Sequence, residues 1–247
     1  RDLVRSRGLG DVYKRQKKGI AVIGDMPIYV AGDSADVWAN REIFKLDSNL
    51  EASDLAGCPP DYFSPDGQLW GNPVYDWRKL KKEKYAWWIE RLNHSFKIYD
   101  IVRIDHFRGF ESYYSIKAGS KTARKGAWRK GGGKSFFDAL PKEFNDRIIA
   151  ENLGFLTDEV DKLLEYTGFP GMKVLQFSFD LRDENSKTLP DDIKKNNVVY
   201  TGTHDNDTIL GWSQNADKKD VAYAMRYLNA LNKYDLIDKM NECAMKC

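Results

Sequence analysis

Asp100-Ile101-Val102-Arg103-Ile104-Asp105-His106-Phe107-Arg108-Gly109 holds a short apolar run, β-branched at three positions, that ends on an acid and is soon followed by a glycine. A run of this length between polar residues favours a strand buried on both faces, as in a parallel sheet. The pattern recurs along the chain. Gly19–Gly24 leads into Asp25, Arg147–Ala150 into Glu151, Met172–Phe179 into Asp180, and Asn197–Thr203 into His204 and Asp205. Between these runs the spacing turns helical. Leu80–Tyr99 places Tyr85, Trp88, Ile89, Leu92 and Phe96 on one face, and Asp158–Tyr166 predicts a shorter helix with Gly168 as its C-cap. Alternating strand and helix predicts an α/β fold. Acids at the C-terminal ends of several parallel strands are what a (β/α)8 barrel uses, because its site is built on that face. A doubly wound sheet is the alternative, but no G-x-G-x-x-G turn follows any of these strands. Only five strands are legible where a closed barrel has eight, so an incomplete barrel is expected. Ala31–Arg78, rich in Asp, Gly, Pro and Trp, reads as a long loop insertion over the active-site face.

The bulk properties narrow the ligand. Lys and Arg number 39 against 37 Asp and Glu, a balance that points to no nucleic-acid or anionic-membrane partner and favours a neutral ligand. No apolar run is long enough to span a bilayer and no apolar signal core opens the chain, so the expected compartment is cytoplasmic. Cys58, Cys243 and Cys247 match no zinc or redox spacing and read as free thiols. Seven Trp and thirteen Tyr, several in Gly/Pro/Asp-rich stretches, would suit either packing or a surface on which sugar rings stack. Residues 1–16 are basic and aperiodic and read as a foreign or disordered segment, with residues 17–247 as the incomplete catalytic domain.

Three carboxylates carry the candidate chemistry: Asp105, Glu151 and Asp205, each after a strand-like run. Retaining cleavage of a glycosidic bond needs a nucleophilic carboxylate and a carboxylic acid about 5–5.5 Å apart, a separation that residues at neighbouring strand ends can reach. Arg103 precedes Asp105 by two positions, so both lie on one face and the guanidinium can hold the carboxylate ionised. Glu151 has no cation beside it in the sequence, which suits a general acid. Each acid taken alone could equally be a helix cap or a structural ion pair. His106 and His204 flank carboxylates, yet with His94 on a helix facing elsewhere the histidines supply no zinc ligand set, and no metal is expected. No G-x-S-x-G elbow presents a nucleophilic serine.

The ordered motifs resemble glycoside hydrolase family 77, the 4-α-glucanotransferases known as amylomaltases and disproportionating enzymes. They run from Ile23-Gly24-Asp25-Met26-Pro27-Ile28-Tyr29-Val30 and Asp33-Ser34-Ala35-Asp36-Val37-Trp38 through Pro59–Ser64 and Gly67–Pro73, then Arg103–Gly109, Ala150–Gly154, Pro170–Phe177 and Tyr200–Thr208. Together they cover roughly Lys17 to Trp212. The resemblance implies a partial (β/α)8 TIM barrel in which the five strands are the third to the seventh. It implies retaining transfer of α-1,4-glucan segments to glucose or another glucan, acting on maltooligosaccharides without cofactor or metal. Asp105 would be the nucleophile, Glu151 the acid and then the base, and Asp205 the stabiliser of the transition state, with Arg103 and His204 placing the sugar. Asp25, Tyr29, Gln68, Trp70 and Asp180 match positions that line sugar subsites. The Pro59–Pro73 loop favours transfer over the α-amylase-like hydrolysis that the same trio can perform; a non-catalytic glucan-binding fragment is the other alternative. Asn152 stands where many members carry Asp, and Asp191-Asp192 stand after Leu189-Pro190 where His-Asn often follows.

Overall fold

A computed structural model describes residues 14, 15, 17–61, 64–182 and 188–247. The expectation for residues 1–16 therefore falls, apart from Lys14 and Arg15, outside the described residues, as do Tyr62 and Phe63 of the loop motif. Two compact units divide the chain. The first runs to Glu151 and takes up Thr157–Phe169; the second comprises Asn152–Leu156 and Pro170–Cys247.

In the first unit the chain order is β1 (Ile23–Met26), α1 (Ala35–Ala39), β2 (Asp54–Cys58), β3 (Gln68–Pro73), α2 (Trp77–Lys82), α3 (Ala86–Phe96) and β4 (Ile101–Ile104). There follow α4 (Arg108–Glu111), β5 (Ser112–Lys117), β6 (Gly126–Lys130), α5 (Gly133–Phe137), β7 (Ile148–Ala150) and α6 (Asp158–Thr167). Strands β1, β4 and β7 form a parallel sheet in that spatial order. Its register sets Asp25 opposite Arg103, and Ile104 between Met26 and Ala150. Asp105 and Glu151 are thus the next residues after paired positions on adjacent strands, and the ladder continues into them: Glu151 N–H donates to the Ile104 carbonyl at 2.9 Å, and Asp105 N–H to the Met26 carbonyl at 2.9 Å.

The sheet's apolar side is covered by aromatic rings. Trp88, Tyr75, Phe107, Phe110 and Phe136 are fully buried, and Trp88 meets Tyr75, Phe110 and Phe136 edge-on at 5.2–5.6 Å between centroids. The predicted Leu80–Tyr99 helix is two helices, because Lys84 and Tyr85 take left-handed φ values of 52° and 58°. Breaking the helix there turns the Tyr85 hydroxyl onto Ser135 Oγ at 2.7 Å and seats its ring edge-on against Phe136. Packing has overridden a periodicity that continues across the break. The short helix α6 forms as expected, with Gly168 left-handed at its C-cap.

Ala31–Arg78 is not the unstructured excursion that its composition suggested. It contributes β2 and β3 to a four-stranded antiparallel sheet of order β3-β2-β5-β6. Neither strand alternates polar and apolar residues; β2 is defined by pairing with β5, where Tyr113, Tyr114 and Ile116 favour a strand, and β3 by pairing with β2. A Cβ at Gly57 would lie 2.0 Å from the Gln68 carbonyl oxygen, so glycine is what lets β3 lie this close to β2. Tyr114, Ile116 and Ala123 give this sheet a small core of its own.

The second unit contains β8 (Gly171–Val174), α7 (Leu175–Ser178), β9 (Asn197–Tyr200), α8 (Ile209–Asn215), α9 (Lys218–Tyr227) and α10 (Lys233–Lys246). Strands β8 and β9 pair in parallel. Leu175, Phe179, Ile209, Val221, Ala224, Leu236 and Met240 form its core. The predicted strand Met172–Phe179 ends at Val174, where the chain turns into α7 so that Leu175 and Phe179 reach this core. The three cysteines are free thiols. Among the described residues no helix is long and apolar enough to cross a membrane.

Trp88→Ala is expected to cost about 3–5 kcal/mol in urea unfolding, because it removes the ring on which the aromatic layer closes. Trp38→Ala, at a ring that is 73% exposed, is expected to change stability by no more than about 0.5 kcal/mol. Similar losses for the two would show that the layer is not the core.

Candidate active site

Arg103 organises the charged end of the parallel sheet. Its side chain is buried, and one nitrogen, Nη1, meets Asp25 Oδ1 at 2.5 Å and Asp105 Oδ1 at 2.9 Å. The ion pair read from the Arg103–Asp105 spacing is therefore present, and Asp25 joins it because the register of β1 and β4 sets it directly across. Asp25 lies within β1 rather than after it. Burial works against the Arg103 charge, but the carboxylates of Asp25, Asp105 and Glu151 more than offset it and hold the guanidinium's pKa above its ordinary value.

Glu151 is buried, with 7% of its surface exposed. Two consecutive amides hold it: His106 N–H donates to Oε2 at 2.8 Å and Phe107 N–H to its backbone carbonyl at 3.0 Å. The sequence showed no cation beside this acid, yet the fold brings Arg103 within electrostatic reach of it. That difference is a consequence of strand adjacency, which sequence neighbours do not report.

The aromatic wall stands on β3 and on the turn after β1. Trp70 lies edge-on to the His106 ring at 4.9 Å between centroids, and its indole N–H donates to Gln68 Oε1 at 3.0 Å. Tyr29 is buried between Trp70, 6.2 Å away, and Tyr75, which stacks on it at 5.8 Å. Burial pushes the Tyr29 hydroxyl well above its ordinary pKa, so it stays protonated. Arg108 is buried with its guanidinium 3.7 Å from the centre of the Trp128 ring, a cation–π contact that fixes the turn after Asp105 against β6.

In the sequence His106 reads only as a possible metal ligand. The fold gives it another character. Its φ is +50°, its Nε2 is enclosed with no hydrogen-bond partner, and burial together with the positive charge of Arg108 pushes its pKa down to about 4. A Cβ at position 109 would meet Ile28 Cδ1 at 2.5 Å and His106 Cδ2 at 3.2 Å, so Gly109 makes room for that ring. No sequence signal marks a non-glycine residue as left-handed, although His is among the residues enriched there.

In the second unit, Asp180 is gripped by Arg182, which donates from Nε at 2.8 Å and Nη2 at 2.5 Å. His204 and Asp205 are exposed and approach each other at 3.4 Å. They stand on a turn pinned by Asn206, whose Oδ1 accepts from Thr203 N–H and Oγ1, both at 2.9 Å. Gln176 clamps the far side of that turn, donating to the Asp207 carbonyl at 2.8 Å. Asn152 is buried and its Oδ1 accepts from Met172 N–H at 2.7 Å, an acceptor role that Asp could also fill.

The first unit thus brings together carboxylates on paired parallel strand ends, a shared buried arginine and flanking aromatic rings. The model of glycoside hydrolase family 77, described as 4-alpha-glucanotransferase, matches residues 11–247, and the chain belongs to that family. The 4-alpha-glucanotransferase of Streptococcus pneumoniae TIGR4 is 59% identical over 85% of this chain and 42% of its own length. That of Thermus thermophilus is 49% identical over 85% of this chain and 42% of its own. The chloroplastic/amyloplastic relative of Arabidopsis thaliana is 45% identical over 90% and 38%. Among solved structures, an amylomaltase from Streptococcus agalactiae in complex with acarbose superposes with a TM-score of 0.86 at 39% identity, covering 96% of this chain and 52% of that one. The chain thus spans about two-fifths of the length of these curated relatives.

The His106 environment generates a stability prediction. The folded pKa of about 4 lies below the ordinary 6.5, so the unfolded chain binds more protons between these values. The contribution is complete above pH 6.5 and is lost as pH falls from there toward 4. The stability difference between the unmodified chain and His106→Asn is expected to shift against the unmodified chain from about pH 7.5 to about pH 4.5 in thermal unfolding. Parallel curves would show that the imidazole titrates normally.

Proposed function

We propose that the protein carrying this chain is a 4-α-glucanotransferase that moves α-1,4-glucan segments by retaining double displacement. The observation that supports this best is the pairing of Asp105 and Glu151 immediately beyond matched positions of β4 and β7, with Arg103 between Asp25 and Asp105. Asp105 attacks the anomeric carbon; the bond to the leaving glucan breaks as Glu151 gives its proton to the departing oxygen. In the second half, Glu151 takes the proton of an acceptor hydroxyl, whose oxygen displaces Asp105 from the same carbon, so configuration is retained. Arg103 sets its positive charge 2.9 Å from the Asp105 carboxylate that attacks, and the His106 N–H orients the buried Glu151 side chain.

Asp205 is assigned to stabilising the oxocarbenium-like transition state, with His204 placing sugar hydroxyls. Asp25, Tyr29, Gln68, Trp70 and Asp180 are assigned to sugar subsites. We read residues 17–247 as part of a (β/α)8 barrel in which β1, β4, β7, β8 and β9 are its third to seventh strands. The antiparallel sheet that carries Gln68 and Trp70 then stands on the active-site face. The substrates in this reading are maltooligosaccharides and longer α-1,4-glucans, with glucose as an acceptor, in the cytoplasm. The chemistry needs no metal or organic cofactor, because two carboxylates supply nucleophile and proton.

Maltotriose incubated with the full-length protein is expected to give glucose together with oligosaccharides longer than maltotriose. Asp105→Asn is expected to lower that rate by at least about a thousandfold, and the unmodified rate is expected to be bell-shaped in pH. Products no longer than the substrate would indicate hydrolysis instead, and a fully active Asp105→Asn would remove Asp105 from the mechanism.

A further inference from the structure

We propose that His106 is a positioning residue for Glu151: its left-handed backbone holds an amide N–H on the Glu151 carboxylate, and its ring, lodged against Trp70, fixes that backbone. The inference rests on the reading of Glu151 as the acid and base.

Three consecutive amides are committed here. Asp105 N–H donates to Met26 on one side, while His106 N–H and Phe107 N–H grip Glu151 on the other. Residue 106 must therefore turn the chain between two neighbouring strands within one residue, and φ +50° is the conformation in which it does so. Side chains with a Cβ disfavour this region, and β-branched ones most. Something must compensate for it.

The ring supplies the compensation. It is wedged edge-on to Trp70 at 4.9 Å, has the Cβ-less Gly109 beneath it, and its Nε2 is enclosed without a partner. An imidazole whose enclosed Nε2 has no hydrogen-bond partner and whose pKa is pushed down to about 4 serves here as a packing element. Phe107 and Phe110, fully buried just after it, anchor the turn from the core side. Trp70 stands on β3, so the strand assigned to sugar contact also keys the residue that aims the acid.

The test separates help to the leaving group from general damage. Maltosyl transfer from maltotriose requires proton donation to a sugar oxygen. From α-maltosyl fluoride, the C–F bond breaks with fluoride carrying off the electron pair, and formation of the Asp105 ester needs no acid. In the full-length protein, kcat/KM of His106→Val is expected to fall about 100-fold with maltotriose and no more than about threefold with the fluoride. His106→Ala, the milder change should the valine variant not fold, is expected to show the same selectivity at smaller size. His106→Gly, which adopts positive φ freely, is expected to retain at least about a tenth of the maltotriose activity.

Equal losses on both donors would overturn the proposal, because a structural defect would not distinguish them. A glycine variant as impaired as the valine variant would overturn its backbone component. If the unmodified protein turns over neither donor, the reading of the site fails and the proposal fails with it; turnover by the unmodified protein with unselective losses sinks the proposal alone.

Discussion

Everything at the charged end of the parallel sheet depends on one buried guanidinium. Arg103 sits on the central strand of β1-β4-β7, and a cation there without partners would destabilise the sheet that carries it. Asp25 from the neighbouring strand and Asp105 from its own are its compensation, both taken by the same nitrogen. The pairing works in both directions. The carboxylates keep the arginine tolerable in the interior, and the arginine keeps two acids close together without mutual repulsion. Strand register is thereby tied to charge placement, since a slip of one residue between β1 and β4 would turn Asp25 away from Arg103.

The central parallel strands follow a simple rule, brief apolar runs ending on polar residues, and were legible for it, whereas the run expected at Gly19–Gly24 forms its strand at Ile23–Met26. Ile101–Ile104 and Ile148–Ala150 satisfy it and form as strands within a residue of the expected limits. Gly168 ended its helix as its chemistry requires. The sequence misled where a long-range partner decides the outcome. Asp54–Cys58 and Gln68–Pro73 have a composition typical of loops; the first becomes a strand by pairing with Ser112–Lys117, and the second by pairing with the first. Phe177 and Phe179 extend the apolar run of β8 in sequence, but the core of the second unit draws the chain into a helical turn instead.

The site divides along the same line. The Arg103–Asp105 contact follows from spacing of two along a chain, so it could be read directly. The grip of His106 and Phe107 amides on Glu151 joins residues 45 apart for the carboxylate bond, and no local pattern announces it. Backbone donors have no identity in a sequence, which is why a residue first considered for its imidazole matters here for its N–H. Tyr29 shows the same limit: its contacts with Tyr75 and Trp70 join residues 46 and 41 positions away, and no local pattern announces them.

The antiparallel sheet has its own hydrogen-bond ladder, its own glycine-permitted close approach at Gly57 and its own small core at Tyr114, Ile116 and Ala123. The pairing that holds Gln68–Pro73 is therefore independent of the registers of β1, β4 and β7. The two sheets nevertheless meet at one ring pair, Trp70 of β3 against His106 after β4, so a change at that single position of β3 reaches the charged strand ends.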